Sequence, residues 1–171
     1  MKRLAWLALP FSLALAACGD EGDCPGSVDG NSIDGSYCAF ADLEFSAVRV
    51  EFFTSSNALN IRYGNGSGDA FSSQLVVLAQ GQDLVFEEGT IPGEFLTVRA
   101  VPSGGTTPGS VDIDRESSNL VLEEWGGIGA RASGEVNLLI ELRGQSGAGR
   151  LVTLDGTFSG TVVDGDASFG D

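Results

Sequence analysis

The sequence predicts an all-β fold, a single antiparallel β-sandwich or barrel-like domain. Three observations point there. From about residue 35 onward apolar and polar side chains alternate with a period of two, and the alternating runs are short, separated by clusters of Gly, Pro, Asn and Asp. Beyond residue 17, no apolar stripe with the 3.6-residue spacing of a helix persists. Short strands at such spacing suit a sandwich or a barrel.

Taken in order, a first strand is expected around Ser36 to Phe40. Ala47 to Phe53 then places Val48, Val50 and Phe52 on one face, and Ala58 to Tyr63 does the same with Leu59, Ile61 and Tyr63. Gln74 to Ala79, Leu84 to Glu87, Phe95 to Val101, Ser110 to Arg115 and Leu120 to Trp125 follow as further strands. The turn-forming stretches "GNGSGD" and "VPSGGTTPGS" separate them.

The clearest pattern lies nearest the C-terminus. In Gly134 to Leu142 the side chains of Val136, Leu138, Ile140 and Leu142 share a face, opposite Glu135, Asn137 and Glu141. In Val152 to Val163 the polar set Thr153, Asp155, Thr157, Ser159 and Thr161 alternates with Val152, Leu154, Phe158 and Val162. The two segments make a long hairpin around "RGQSGAGR", with one wet and one buried face. Asp155-Gly156 is a strong two-residue turn signal, but a turn there would pair Leu154 with Thr157 and Val152 with Ser159, setting apolar against polar. A single strand keeps the alternation, with Gly156 and Gly160 as inward positions without side chains. The closing "LDGTFSGTV" resembles the last strand of many uncharacterised extracytoplasmic lipoproteins of Gram-negative bacteria, myxobacteria among them. That resemblance implies a fold and transfers no catalytic residue.

The amino-terminal segment has a different character. Lys2 and Arg3 precede an apolar run from Leu4 to Ala17 that Pro10 interrupts, and small residues lead to Cys18. This is the layout of a secretory signal peptide, and 14 residues fall short of the ~20 that a membrane-spanning helix requires. Leu15-Ala16-Ala17-Cys18 resembles the lipobox of bacterial lipoproteins. The resemblance implies cleavage before Cys18, a diacylglyceryl group on its thiol and usually an acyl chain on the new amino terminus. Several buried chains at ~0.8 kcal/mol per CH₂ make a stable membrane anchor. With Gly19 rather than Asp after the cysteine, the family's sorting rule implies the outer membrane.

The expected organisation is therefore a signal peptide over 1–17, an acidic Gly-rich tether over 18–34 and a β-domain over 35–171. Three cysteines are an odd number for an exported chain. With lipid on Cys18, Cys24 and Cys38 remain to form a disulfide in an oxidising compartment. The bridge would close a loop of 15 residues, worth ~3 kcal/mol on the chain-entropy model; the alternative is two free thiols.

After residue 17 there are 24 carboxylates against seven guanidiniums, a difference of 17 negative charges. Such a surface repels nucleic acid and anionic headgroups. Partners would be the membrane, through the lipid, and an envelope protein or a glycan. The same stretch contains no His and no Lys. That excludes Ser-His-Asp and Cys-His systems, lysine Schiff bases, Walker-type phosphate loops and imidazole zinc sites.

What remains is carboxylate chemistry, oxygen-ligated metal, or binding without catalysis. Asp112 and Asp114 stand two apart on a predicted strand, so their carboxylates share a face with Cα atoms about 6.5 to 7 Å apart. With Glu116 and Glu123 they match positions 1, 3, 5 and 12 of a calcium loop, but Ser117 stands where that loop needs Gly. A solvated strand face is the simpler reading, with Ca²⁺ as the one candidate cofactor. Asp164, Asp166 and Ser168 repeat the pattern in what reads as a frayed acidic terminus. Glu87-Glu88 and Glu123-Glu124 invite a glycosidase reading, but adjacent strand residues point to opposite faces, so neither doublet supplies the facing pair such chemistry needs. Trp125 is a candidate ligand-stacking residue, alone or with Tyr63 or Tyr37, or else an aromatic that closes one end of the core.

The expected function is that of a lipid-anchored extracytoplasmic protein with a structural or binding role, with no catalytic residue assigned. A carbohydrate- or calcium-dependent binding module and a carboxylate hydrolase remain as alternatives.

Overall fold

The computed structural model describes residues 26–28, 31–35, 45, 47–66, 70–100, 109–143 and 149–167. These residues form eleven strands: β1 (Gly26–Val28), β2 (Asn31–Gly35), β3 (Ala47–Phe53), β4 (Ala58–Asn65), β5 (Ser72–Gln80), β6 (Gly89–Pro92), β7 (Leu96–Ala100), β8 (Gly109–Ile113), β9 (Asn119–Trp125), β10 (Arg131–Arg143) and β11 (Gly149–Asp164). A 3-10 turn, Gly93–Phe95, joins β6 to β7. The all-β class predicted from alternation is the class observed.

Two sheets share the long strands β10 and β11. One runs β1-β2-β11-β10-β9-β6, and the other runs β3-β4-β5-β7-β8. They join at two corners. β11 pairs with β2 over Leu154 to Thr157 and then, further along, with β3 over Val162 to Asp164. β10 pairs with β9 over Ala132 to Asn137 and then with β8 at Ile140 and Glu141. The hydrogen-bonded circuit β11-β3-β4-β5-β7-β8-β10 therefore returns to β11, which makes the sandwich barrel-like. The β3/β11 pair is parallel, an exception among pairings that are otherwise antiparallel.

β10 and β11 pair without interruption from Arg131↔Thr161 to Arg143↔Gly149. Asp155-Gly156 lies inside the ladder opposite Val136 and Asn137, so the single-strand reading holds. Leu154, Phe158 and Val162 are buried, while Thr153, Asp155 and Thr161 are exposed. The core continues through Leu59, Ile61 and Tyr63 of β4, Leu75, Val77 and Ala79 of β5, and Leu96 and Val98 of β7, the inward sets of three adjacent strands. Tyr63 is fully buried, packs edge-on against Phe45 at 5.6 Å and donates its hydroxyl to the Thr157 carbonyl at 3.0 Å. Burial pushes that phenol far above the ordinary tyrosine range.

Three expectations need correction. The segment assigned to a tether contains β1 and β2, which pair with each other and, through β2, with β11. Folded structure thus begins at least as early as Gly26, and Asp29-Gly30, a two-residue hairpin signal, lies between the two strands in sequence. Leu84 to Glu87 is not a strand. Its alternation is real, with Leu84 and Phe86 half-buried and Val85 exposed, but the segment has no ladder partner and crosses from one sheet to the other. Nor is the acidic terminus frayed as far as Asp166, which is hydrogen-bonded to the β3–β4 turn. The first predicted strand at Ser36 to Phe40, the signal peptide, Cys18, Cys24 and Cys38 lie outside the described residues.

Candidate functional site

The crossing segment 81–88, the β3–β4 turn and the β9–β10 hairpin meet at one end of the barrel. They border an open, shallow cleft of about 490 Å³ lined by Phe52, Leu84, Val85, Phe86, Trp125 and Ile128, with Thr54 and Asn57 as its polar members. Each wall has a local cause.

Trp125 reaches the cleft because of a β-bulge. β9 pairs Leu122 with Gly134 and then Glu124 with Ser133, which leaves Glu123 as an extra residue. Regular alternation after Leu120 and Leu122 would turn Glu124 inward; the bulge leaves Glu123 and Glu124 both exposed and turns Trp125 inward. Gly134 makes this close approach feasible, since a Cβ there would lie 1.9 Å from the Val121 carbonyl oxygen. Trp125 then packs edge-on against Phe52 at 5.4 Å and tilted against Phe86 at 5.7 Å, while Phe52 and Phe86 meet at 5.2 Å. Such contacts add ~0.5–1.5 kcal/mol per pair beyond area burial.

The β9–β10 hairpin presents Ile128. Its turn closes with the Gly126 N–H donating to the Arg131 carbonyl and the Ala130 N–H to the Gly127 carbonyl, at 3.0 and 3.1 Å. Gly127 and Gly129 flank Ile128 with φ of 74° and 83°, the left-handed region that favours glycine. The Gly129 N–H donates to the Val162 carbonyl and the Val162 N–H to the Ala130 carbonyl, both at 2.8 Å, which ties the hairpin to β11.

The other wall is held by Asn57, at φ 47°, whose Nδ2 donates to the carbonyls of Gly81 and Leu84 at 2.7 and 2.8 Å. This pins the crossing segment where backbone ladder bonds do not. The turn bearing Asn57 is clamped in its own right: the Asp166 carboxylate accepts from Thr54 Oγ1 at 2.8 Å and from the Ser55 N–H and hydroxyl at 2.9 and 2.5 Å. The Ser55 hydrogen bonds, and then that from Thr54, hold the Asp166 carboxyl below the ordinary aspartate value. The tail aspartate thus organises a cleft wall.

Val85 is 68% exposed and Ile128 43%; both are large apolar side chains, and both line this cleft. Fully covering a side chain of that size contributes about 1.5–3 kcal/mol. The cleft therefore offers an apolar guest an aromatic floor and two aliphatic lips.

The other predicted site residues do not converge here. Asp112 lies exposed on β8, opposite Glu141. Asp114 falls beyond the end of β8, and its Oδ1 accepts the N–H groups of Glu116 and Ser117 at 3.1 and 3.0 Å, a turn-organising role. The shared strand face expected for the pair ends at Ile113. Among the described residues no three His, Cys, Asp or Glu side chains gather as a metal-holding group. Glu87 and Glu88 are exposed, as are Glu123 and Glu124, and Glu124 meets Arg131 at 3.4 Å. The expectation that Glu123 and Glu124 would face opposite sides fails because of the bulge. Tyr63 cannot form a stacking platform with Trp125, being fully buried against Phe45; Tyr37 lies outside the described residues.

Comparison with family models, with curated proteins and with solved structures finds no match for the chain.

Proposed function

We propose that the chain is a lipid-anchored extracytoplasmic lipoprotein of a Gram-negative envelope, sorted to the outer membrane, whose β-domain is a binding module for an apolar group. The anchor reading rests on Lys2 and Arg3, the short apolar run and Leu15-Ala16-Ala17-Cys18. The observation behind the binding reading is that Val85 and Ile128, the exposed large apolar side chains among the described residues, line the same cleft over Trp125. Exposed apolar surface that converges on a concave site is a signature of ligand binding.

Each half has its own experiment. Labelling cells with an acyl donor is expected to mark the wild-type protein and not Cys18→Ala, and equal labelling of both would overturn the anchor. For the cleft, Trp125 and Trp6 are the two tryptophans, and Trp6 lies in the segment proposed to be removed. Emission of the processed protein then reports the cleft directly. Titration with the fluorescent apolar probe 1-anilinonaphthalene-8-sulfonate is expected to show energy transfer from Trp125, lost in Val85→Asp/Ile128→Asp at unchanged Tm. Equal transfer in wild type and the double variant would reject the cleft as the site.

A further inference from the structure

The outward face of the second sheet carries a charge pattern at odds with the rest of the chain. Arg49 on β3 faces Arg62 on β4, Arg62 faces Val76 on β5, and Val76 faces Arg99 on β7. Three of the seven arginines beyond residue 17 therefore lie in one row across the strands, in a chain with 24 acidic residues. Like charges directly opposite one another are unfavourable. Glu51 relieves the first two: its Oε1, on a side chain 3% exposed, lies 2.9 Å from both Arg49 Nε and Arg62 Nη1. Arg62 is held further by Ser73 Oγ and by the Phe71 ring, whose centroid is 5.3 Å from its Cζ. Arg99 is exposed and makes no ion pair among the described residues.

The neighbouring row supplies a second, independent feature. Asn60 sits between Glu51 and Leu78 in register, and its Oδ1 is buried without a hydrogen-bond donor among the described residues. A buried acceptor in that state is unfavourable until some donor reaches it. Asn60 and Arg99 line one groove of about 210 Å³, with Phe53, Val76 and Leu78 as apolar surface and Gln80 at its edge. At ~30 Å³ per water this is room for about seven waters, close to one sugar ring and below the ~300 Å³ where drug-sized sites begin.

We infer that this groove binds a sugar ring bearing a carboxylate. The parts of such a ligand match the residues that line the groove: the carboxylate for the Arg99 guanidinium, a ring hydroxyl for the side-chain amide of Asn60, and the C–H face of the ring for Val76 and Leu78. Inorganic phosphate could meet Arg99 but has no apolar face to present to Val76 and Leu78. The site is independent of the Trp125 cleft, lying on the other side of β3, where Phe53 points outward and Phe52 inward.

The full chain purified in detergent and titrated calorimetrically with D-glucuronate, D-glucose and inorganic phosphate tests this. Glucuronate is expected to bind, more weakly as sodium chloride rises, with glucose and phosphate each at least about tenfold weaker. Arg99→Gln should reduce glucuronate binding by about tenfold or more at unchanged Tm, because Arg99 is exposed. Asn60→Leu should weaken it as well. Absence of glucuronate binding at millimolar concentration, phosphate binding as tight as glucuronate, or wild-type affinity in Arg99→Gln would each overturn the assignment.

Discussion

Asp166 and Ser55 are 111 residues apart in sequence and joined twice, the carboxylate accepting from both the N–H and the hydroxyl of the serine. Together with the Gly165 N–H donated to the Phe52 carbonyl at 2.9 Å, this fixes the β3–β4 turn from outside the sheet.

The pH dependence of that clamp has a definite sign. Hydrogen bonding from Ser55 and Thr54 lowers the Asp166 carboxyl below its ordinary value. Its contribution to stability is therefore complete above the unfolded value and is lost as pH falls through the lowered folded one. Asp166→Ala should reduce Tm at neutral pH, and the gap to wild type should close as pH is taken below about 4. Thermal unfolding across that range checks this; a gap independent of pH would contradict it.

Gly134→Ala should be among the most disruptive single-methyl changes in the molecule. The new Cβ would meet backbone, the Val121 carbonyl oxygen at 1.9 Å, so the bulge itself must shift. A loss of about 3 kcal/mol is expected, accompanied by a red shift of Trp125 emission as the indole loses its inward orientation. Chemical denaturation monitored at the tryptophan measures both.

Tyr63→Phe isolates one buried hydrogen bond. Losing the hydroxyl that reaches the Thr157 carbonyl should cost roughly 1–2 kcal/mol, whereas Tyr63→Ala, which also empties core volume, should cost about 3–5 kcal/mol. A Tyr63→Phe variant as stable as wild type would show that the hydroxyl contributes nothing net.

Glu51→Leu should destabilise by roughly 2 kcal/mol. That is less than the ~3–5 kcal/mol of a fully buried broken pair, because the Arg49 and Arg62 side chains keep 22% and 27% exposure. Combining it with Arg62→Leu should recover part of the loss, since the like charges of Arg49 and Arg62 no longer face each other; a double-mutant cycle in denaturant measures the coupling.

Alternation was enough to identify the all-β class, β3 to its exact bounds and the continuous β11, because each strand there buries one face and exposes the other. It misplaced Leu84 to Glu87 because that segment alternates for a different reason, packing Leu84 and Phe86 over the barrel end without a neighbouring strand. It missed β6 because a four-residue edge strand containing Pro92 resembles a turn. Of the cleft, Trp125 was legible as a lone aromatic. Its partners Phe52, Phe86, Val85 and Ile128 come from separate segments and meet only through the fold. Ile128 within "GGIGA" was the one local hint, an apolar side chain set among residues that bury nothing. The bulge at Glu123 left no mark except Gly134 in the facing strand.

The double pairing of β11 also sets an order of events. The ring has no closure until residues 149–164 lie beside both β10 and β3. Until β11 docks, β3, β4, β5, β7, β8 and β10 make an open sheet, and Leu59, Ile61 and Leu138 lack the strand that closes the ring over them. Completion waits on contacts between residues more than 100 positions apart, which makes for slow folding and a long interval of exposed apolar surface.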